Sequence, residues 1–273
     1  GITPFYLAYQ GYNDRDLLIK LAQLYRPFLP ERAYSYTPLQ ERAGLFRPCR
    51  LGFISRYFYD HSVSHCFKRI IQFAPKESFE IFLFRVPPTR YDSTTEQLKT
   101  HASQVVELPY QLEQAAQLIA QADLDILIYT DLGMDAFTYF LAFIRLASIQ
   151  CVLSGHPVTS GIPTIDYFIS SKLLEIPEAQ EHYSEKLVPL DHIVVNYEKP
   201  NIPQALKSRL ELGLPSNAII YLCPVTLFKI HPEFDFTIQE ILLHTTKTAK
   251  VYFFQYQETR LHETLLHRFQ KNI

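Results

Sequence analysis

Apolar positions in this chain follow two different periods. Over residues 13–27 (NDRDLLIKLAQLYRP), Leu17, Leu18, Leu21 and Leu24 recur at helical spacing. That spacing predicts one amphipathic helix, capped by Asn13 or Asp14 and ended by Pro27 and Pro30. A loop-like connection follows over 28–48, carrying Pro30, Pro38, Gly44 and Pro48. From Cys49 the pattern becomes short, continuous apolar runs alternating with amphipathic stretches. Strands are predicted at 49–55, 79–86, 103–107, 124–130, 149–153, 166–170 and 186–190. Helices are predicted at 60–74, near 94–102, at 111–122 and at 134–147, with a helical turn over 178–185. Strands that are apolar throughout and alternate with helices predict a parallel sheet covered on both faces.

Pro200 and Pro203 mark a boundary. Beyond it the pattern predicts a helix over QALKSRLELG, stopped by Gly213. A strand follows at 218–224, a helix at 231–246, a strand at 250–255 and a helix at 259–270. The organisation read this way is a helical linker over 1–45, a Rossmann-like domain over 46–198 and the start of a second over 199–273. Two strands and three helices do not cover both faces of a sheet. The second domain is therefore expected to be incomplete and to expose apolar sheet surface unless further chain or a partner covers it.

Composition changes this picture little. The 273 residues are 47% hydrophobic and 20% charged, with a formal net charge of -2. These values fit a folded globular chain, and no block of like charge marks a nucleic acid or an anionic membrane as partner. Four cysteines, Cys49, Cys66, Cys151 and Cys223, stand far apart beside apolar runs, the usage of a reducing, cytoplasmic compartment. No apolar run reaches the length of a membrane span. The one methionine is Met134, so residue 1 is not a translation start and the sequence is expected to be a piece of something longer. The glycine-rich fingerprints of dinucleotide binding and of the P-loop are missing, as are the HExxH and GxSxG motifs, so those enzyme classes lack support.

Four segments carry candidate chemistry. SRYFYDHSVSH (55–65) follows the first strand of the α/β region and opens a helix. His61 at that helix N-terminus would be kept neutral by the dipole, as a general base requires. His61 and His65 also stand at metal-ligand spacing, and both could serve only as a cap and a core residue. SGHPVTSG (154–161) follows another strand. Gly155 and Gly161 would let backbone approach a ligand, and Thr159 and Ser160 would add hydroxyl donors; an ordinary polar loop is the alternative. Lys229, in LFKIHP (227–232), could neutralise a diphosphate leaving group or be a solvated surface lysine. Asp131 and Asp135 could bind a hydroxyl-rich ligand, although capping the next helix suits Asp135 better.

Three segments together resemble one family. They are RLGFISRYFYDHSVSHCFKRI (50–70), the run from IQCVLSGHPVTSGIPTIDYFISS to EHYSEKLVPL (149–190), and GLPSNAIIYLCPVTLFKIHP (213–232). They are similar to the glycosyltransferases that include the nucleocytoplasmic O-GlcNAc transferases, the plant SPINDLY proteins and their bacterial relatives. The resemblance implies a GT-B arrangement of two Rossmann-like α/β domains and inverting transfer of a sugar, GlcNAc first, from a UDP-sugar to Ser or Thr of a protein. It implies no metal or other cofactor and often a preceding TPR array, of which the 13–27 helix could be the end. It makes His61 the active-site histidine near the acceptor and Lys229 the lysine on the UDP diphosphate. Gly155, His156, Pro157, Thr159, Ser160 and Gly161 match the cleft loop of the first domain, and Thr226 matches a nucleotide-touching position. Tyr57, Thr226, Phe228 and Asp131–Asp135 depart from the usual pattern. GHPVT and LGMD are also similar to the bacterial N-glycosyltransferases that use UDP-glucose and Asn acceptors, and a non-catalytic protein-binding relative is the third option. The family's later nucleotide-binding segment is expected to lie beyond Ile273.

Overall fold

The computed structural model describes residues 3–29, 34, 41, 47–254 and 259–272. The expected connection with Pro30, Pro38 and Gly44 lies largely outside them. The chain divides into two compact units, Gly1–Ala8 with Tyr12–Lys199, and Tyr9–Gly11 with Pro200–Ile273.

The first unit opens with helix α1 (Arg15–Tyr25). Strand and helix then alternate: β1 (Cys49–Ser55), α2 (Ser62–Gln72), β2 (Phe79–Arg85), α3 (Ser93–His101), β3 (Gln104–Glu107), α4 (Leu112–Gln121) and β4 (Ile126–Tyr129). After these come α5 (Ala136–Leu141), β5 (Ile149–Leu153), β6 (Tyr167–Ser171) and β7 (Lys186–Leu190). The seven strands form one sheet in the order β3-β2-β1-β4-β5-β6-β7. Every neighbouring pair is parallel. This is the α/β architecture read from the alternation.

Successive strand residues point to opposite faces, and each face has its own core. Ile54, Phe82, Phe84, Leu127 and Tyr129 pack with Ala115, Ala116 and Ile119 of α4 and Tyr139 of α5. Phe53, Leu83 and Ile128 pack on the other face with Val63, Phe67 and Ile71 of α2 and Leu98 of α3. α1 buries Leu18 and Ala22, while Leu17 and Leu24 are exposed. Its expected caps differ in use: the Asn13 side chain accepts from Arg15 N at 3.1 Å, and Asp14 makes no capping bond.

Two predicted helices are corrected. The expected helix over 134–147 stops at Leu141 because side chains take the backbone groups it would need. The Ala142 carbonyl accepts from Thr164 Oγ1, and Leu146 N donates instead to Gln150 Oε1 at 2.9 Å. The stretch ending at Gly213 forms only a turn, with Leu212 N on Ser208 O. Its apolar residues have nothing to cover, Leu210 being 88% exposed. A short isolated helix does not repay its nucleation cost without such burial.

The second unit holds β8 (Ile219–Cys223), α6 (Phe234–Leu243), β9 (Ala249–Phe253) and α7 (Thr259–Asn272). β8 and β9 pair in parallel. Leu227, Ile230 and Leu265 form its small core. Arg268 of α7 clasps Asp235 of α6 through two hydrogen bonds at 2.8 and 2.9 Å. Leu222 on β8 is 57% exposed, in line with the expected apolar surface. Among the described residues no helix is long and apolar enough to cross a membrane.

Candidate functional site

The strand order places a switch point between β1 and β4. From β1 the chain moves outward to β2 and β3, then returns to the other side of β1 for β4. The loops leaving the carboxyl ends of β1 and β4 therefore diverge, and open α/β sheets bind ligands at such crevices. The segments starting at Ser55 and Thr130 lie there.

After β1 the chain is held by short bonds. Ser55 Oγ accepts from Tyr57 N at 2.9 Å, and Ser64 Oγ donates to Tyr57 O at 2.6 Å. Arg56 reaches Asp135 at 2.6 Å, and Asp135 caps α5 by accepting from Thr138 N at 2.9 Å. The capping alternative for Asp135 is the one adopted.

His61 caps α2. Its Nδ1 accepts from Val63 N at 3.2 Å. An accepting nitrogen carries no proton, so the neutral ring holds its proton on Nε2. In this arrangement the ring offers a hydrogen bond rather than taking a proton, which favours an orienting role over that of a base. Burial, aided by the charges of His65 and Arg90, lowers the pKa of His61 and keeps the ring neutral. The dipole argument expects the same neutral form, but the causes seen here are burial and neighbouring charge. The metal-pair alternative with His65 does not form, since His65 Nε2 is engaged by Asp60 Oδ1 at 2.8 Å.

Asp131, at the end of β4, is 1% exposed. One carboxylate oxygen accepts from Thr130 Oγ1 at 2.5 Å, and Oδ2 has no partner among the described residues. Burial pushes its pKa up to about 7, opposed by hydrogen bonding from Ser55 and Thr130 and reinforced by the charge of Asp135. A buried, half-satisfied carboxyl at a switch point has the character of a functional group.

The 154–161 loop is fixed more tightly than its composition suggests. A Cβ on Gly155 would lie 2.1 Å from the Thr130 carbonyl, so only glycine lets the loop meet the end of β4. Gly161, at φ +70°, lies against the backbone of Leu18 in α1. The expected ligand donors Thr159 and Ser160 are instead bound inward by Glu185. Its carboxylate accepts from Thr159 Oγ1 at 2.6 Å, from Ser160 N at 2.8 Å and from Ser160 Oγ. Glu185 was not singled out in the sequence, because one acidic residue ahead of a strand carries no pattern of its own. Pro157 is exposed, and His156 is buried with both ring nitrogens unpartnered among the described residues. Burial lowers the pKa of His156 to about 4.

Lys229 belongs to the second unit, in a single turn of 3-10 helix, Leu227–Lys229, between β8 and α6. Leu227 and Ile230 anchor the turn in the core, and Lys229 is exposed. Thr226 opens the turn with its hydroxyl oxygen buried and without a partner among the described residues. Among the described residues no three His, Cys, Asp or Glu side chains stand together as a metal site.

Comparisons with known proteins agree with this architecture. The chain is 26% identical over 216 residues to a probable UDP-N-acetylglucosamine–peptide N-acetylglucosaminyltransferase, SEC, of Arabidopsis thaliana, covering 77% of this chain and 22% of that protein. It is 24% identical to a SPINDLY protein of Oryza sativa subsp. japonica, covering 68% of this chain and 21% of that protein. The chain thus spans about a fifth of the length of these curated relatives. Among solved structures, the Thermobaculum terrenum O-GlcNAc transferase mutant K341M superposes with a TM-score of 0.79 at 20% identity. That match covers 97% of this chain and 50% of the other, and it establishes the GT-B-like fold class. The model of glycosyl transferase family 41 matches residues 27–195, well over half of the sequence, and the chain belongs to that family.

Proposed function

We propose that the protein of which this chain is part transfers a sugar from a UDP-sugar, GlcNAc first, to a Ser or Thr hydroxyl of a protein, with inversion, in the cytoplasm. The acceptor oxygen bonds to the anomeric carbon as the bond to the diphosphate breaks on the opposite side, and the acceptor's proton passes to solvent water as that bond forms. His61 donates from Nε2 to hold the reacting oxygen in line. Lys229 meets the charge that builds on the departing diphosphate, and a preorganised cation of this kind contributes ~3–4 kcal/mol to such a step. In this reading the diphosphate charge is met by Lys229 and helix N-termini, and no metal takes part.

The observation that carries this reading is the position of His61, a neutral imidazole with Nε2 free of its helix, at the switch point of a family 41 sheet. The test is transfer from UDP-GlcNAc and from UDP-glucose to a mixed Ser/Thr/Asn peptide pool, read by mass spectrometry. His61→Ala and Lys229→Ala should each cut the mass-shifted product at least tenfold. Glucose on Asn would assign the protein to N-glucosylation, and UDP binding without product would make it a binding relative.

A further inference from the structure

His156 is 2% exposed, and neither ring nitrogen has a hydrogen-bond partner among the described residues. Tyr139 lines the same small cavity with Pro4, Leu132 and Gly133, and its buried hydroxyl also has no partner among the described residues. Buried polar groups are almost always paired, and unpartnered polar groups on two residues lining one cavity mark a place for a partner. The cover is an N-terminal stretch of the chain itself. The ring of Phe5 lies over the imidazole, 5.1 Å between centroids and 30° from parallel. Phe5 begins a six-residue 3-10 helix, Phe5–Gln10, that buries none of its residues. Runs of that helix type this long are uncommon, because their hydrogen-bond geometry is poor. No charged residue occurs before Asp14.

A phenyl ring excludes water from the imidazole but satisfies neither nitrogen. A neutral imidazole offers one donor and one acceptor, the complement of a peptide group's C=O and N–H. We propose that the pocket at His156 binds an uncharged polypeptide segment bearing an aromatic side chain, and that residues 3–8 are its displaceable resident. An incoming segment of similar composition replaces Phe5 and adds the backbone hydrogen bonds that the resident leaves unmade. The proposal rests on the family resemblance that makes 154–161 the cleft loop of the first domain, but not on sugar transfer.

The test follows carbethoxylation of His156 by diethyl pyrocarbonate in the full 273-residue chain, read by peptide mass spectrometry. In the unaltered chain His156 should react far more slowly than the exposed His244. Phe5→Ala should speed His156 at least tenfold, and Phe5→Leu, which keeps an apolar cover, should stay within about twofold of the unaltered chain. A free peptide of residues 1–12 added to the Phe5→Ala chain should restore protection, and the same peptide with its own Phe5→Ala change should not. Thermal melting of each variant verifies the fold. Unchanged reactivity in Phe5→Ala, or equal protection by both peptides, overturns the proposal. No sugar nucleotide is present, so these results leave the transferase reading to its own test.

Discussion

The ring of Tyr57 lies flat against that of His61, with centroids 4.2 Å apart and planes 18° from parallel. Tyr59 adds a second aromatic neighbour to the same imidazole at 5.7 Å. Tyr57 occupies a position where the resembling family commonly has an acidic residue. An acid there would favour the charged imidazolium, whereas a stacked phenol desolvates the ring and favours the neutral form. Tyr57→Ala should therefore raise the His61 pKa toward its ordinary value, and Tyr57→Phe should leave it where it is. Titration of the His61 ring protons by NMR reads both. An unmoved pKa in Tyr57→Ala would show that Tyr57 does not set the imidazole's protonation.

Asp131 should couple stability to pH. Its carboxyl titrates at about 7 in the folded chain, against an ordinary value of about 4. Below that ordinary value the folded and unfolded chains both hold the proton. Between the two values only the folded chain does, so stability falls as pH rises, and the loss is complete above about 7. Asp131→Asn keeps an acceptor for Thr130 and removes the ionisation. Its melting temperature relative to the unaltered protein should be higher at pH 8 than at pH 5. Parallel melting curves at the two pH values would contradict this.

Glu185 should be worth more than its place before an edge strand suggests. Its removal leaves Ser160 N and Oγ without their acceptor, while Thr159 Oγ1 keeps Ser184 Oγ at 2.9 Å. Each unpaired buried donor costs ~1–3 kcal/mol. Glu185→Ala should lower unfolding free energy by about 3 kcal/mol or more in urea titrations. Glu185→Gln, which keeps one oxygen for Ser160, should lose roughly half as much. A loss below ~1 kcal/mol in the alanine variant would mean the loop finds other partners.

Hydrophobic period was enough to read the sheet. β1, β5 and β7 match their expected bounds; β1 and β5 run into the buried core, whereas β7 is an edge strand with exposed ends, bounded by the turn before it and the loop after it. What the period did not carry was the fate of single backbone groups. The 134–147 pattern is helical throughout, yet Thr164, 22 residues beyond Ala142, and Gln150, four beyond Leu146, end the helix. Leu206 and Leu210 have helical spacing but no surface to bury against. At the site, Asp131, His61 and the glycines were legible because strand ends and turn residues announce themselves. The inward use of Thr159 and Ser160 was not, since it depends on Glu185, 25 residues beyond Ser160 and distinguishable only once the strands are paired.

Lys229 gives the second unit its own test. Its turn is fixed from below by Leu227 and Ile230, and from the side by Arg268, which donates to Ile230 O at 3.2 Å. The ammonium itself is exposed, 6.0 Å from the Phe228 ring centroid, and the described residues give it no carboxylate partner. An exposed cation on an anchored turn reaches a diphosphate at little cost in desolvation or ordering. A charge-assisted hydrogen bond of this kind contributes ~1.5–3 kcal/mol. Lys229→Ala should therefore weaken UDP binding at least tenfold by calorimetry. Lys229→Arg should retain part of the affinity, because charge remains while the fork replaces a compact ammonium. Raising the salt should narrow the gap between the unaltered and alanine proteins, since an exposed pair is screened. Equal affinities for UDP in all three proteins at low salt would remove Lys229 from the diphosphate.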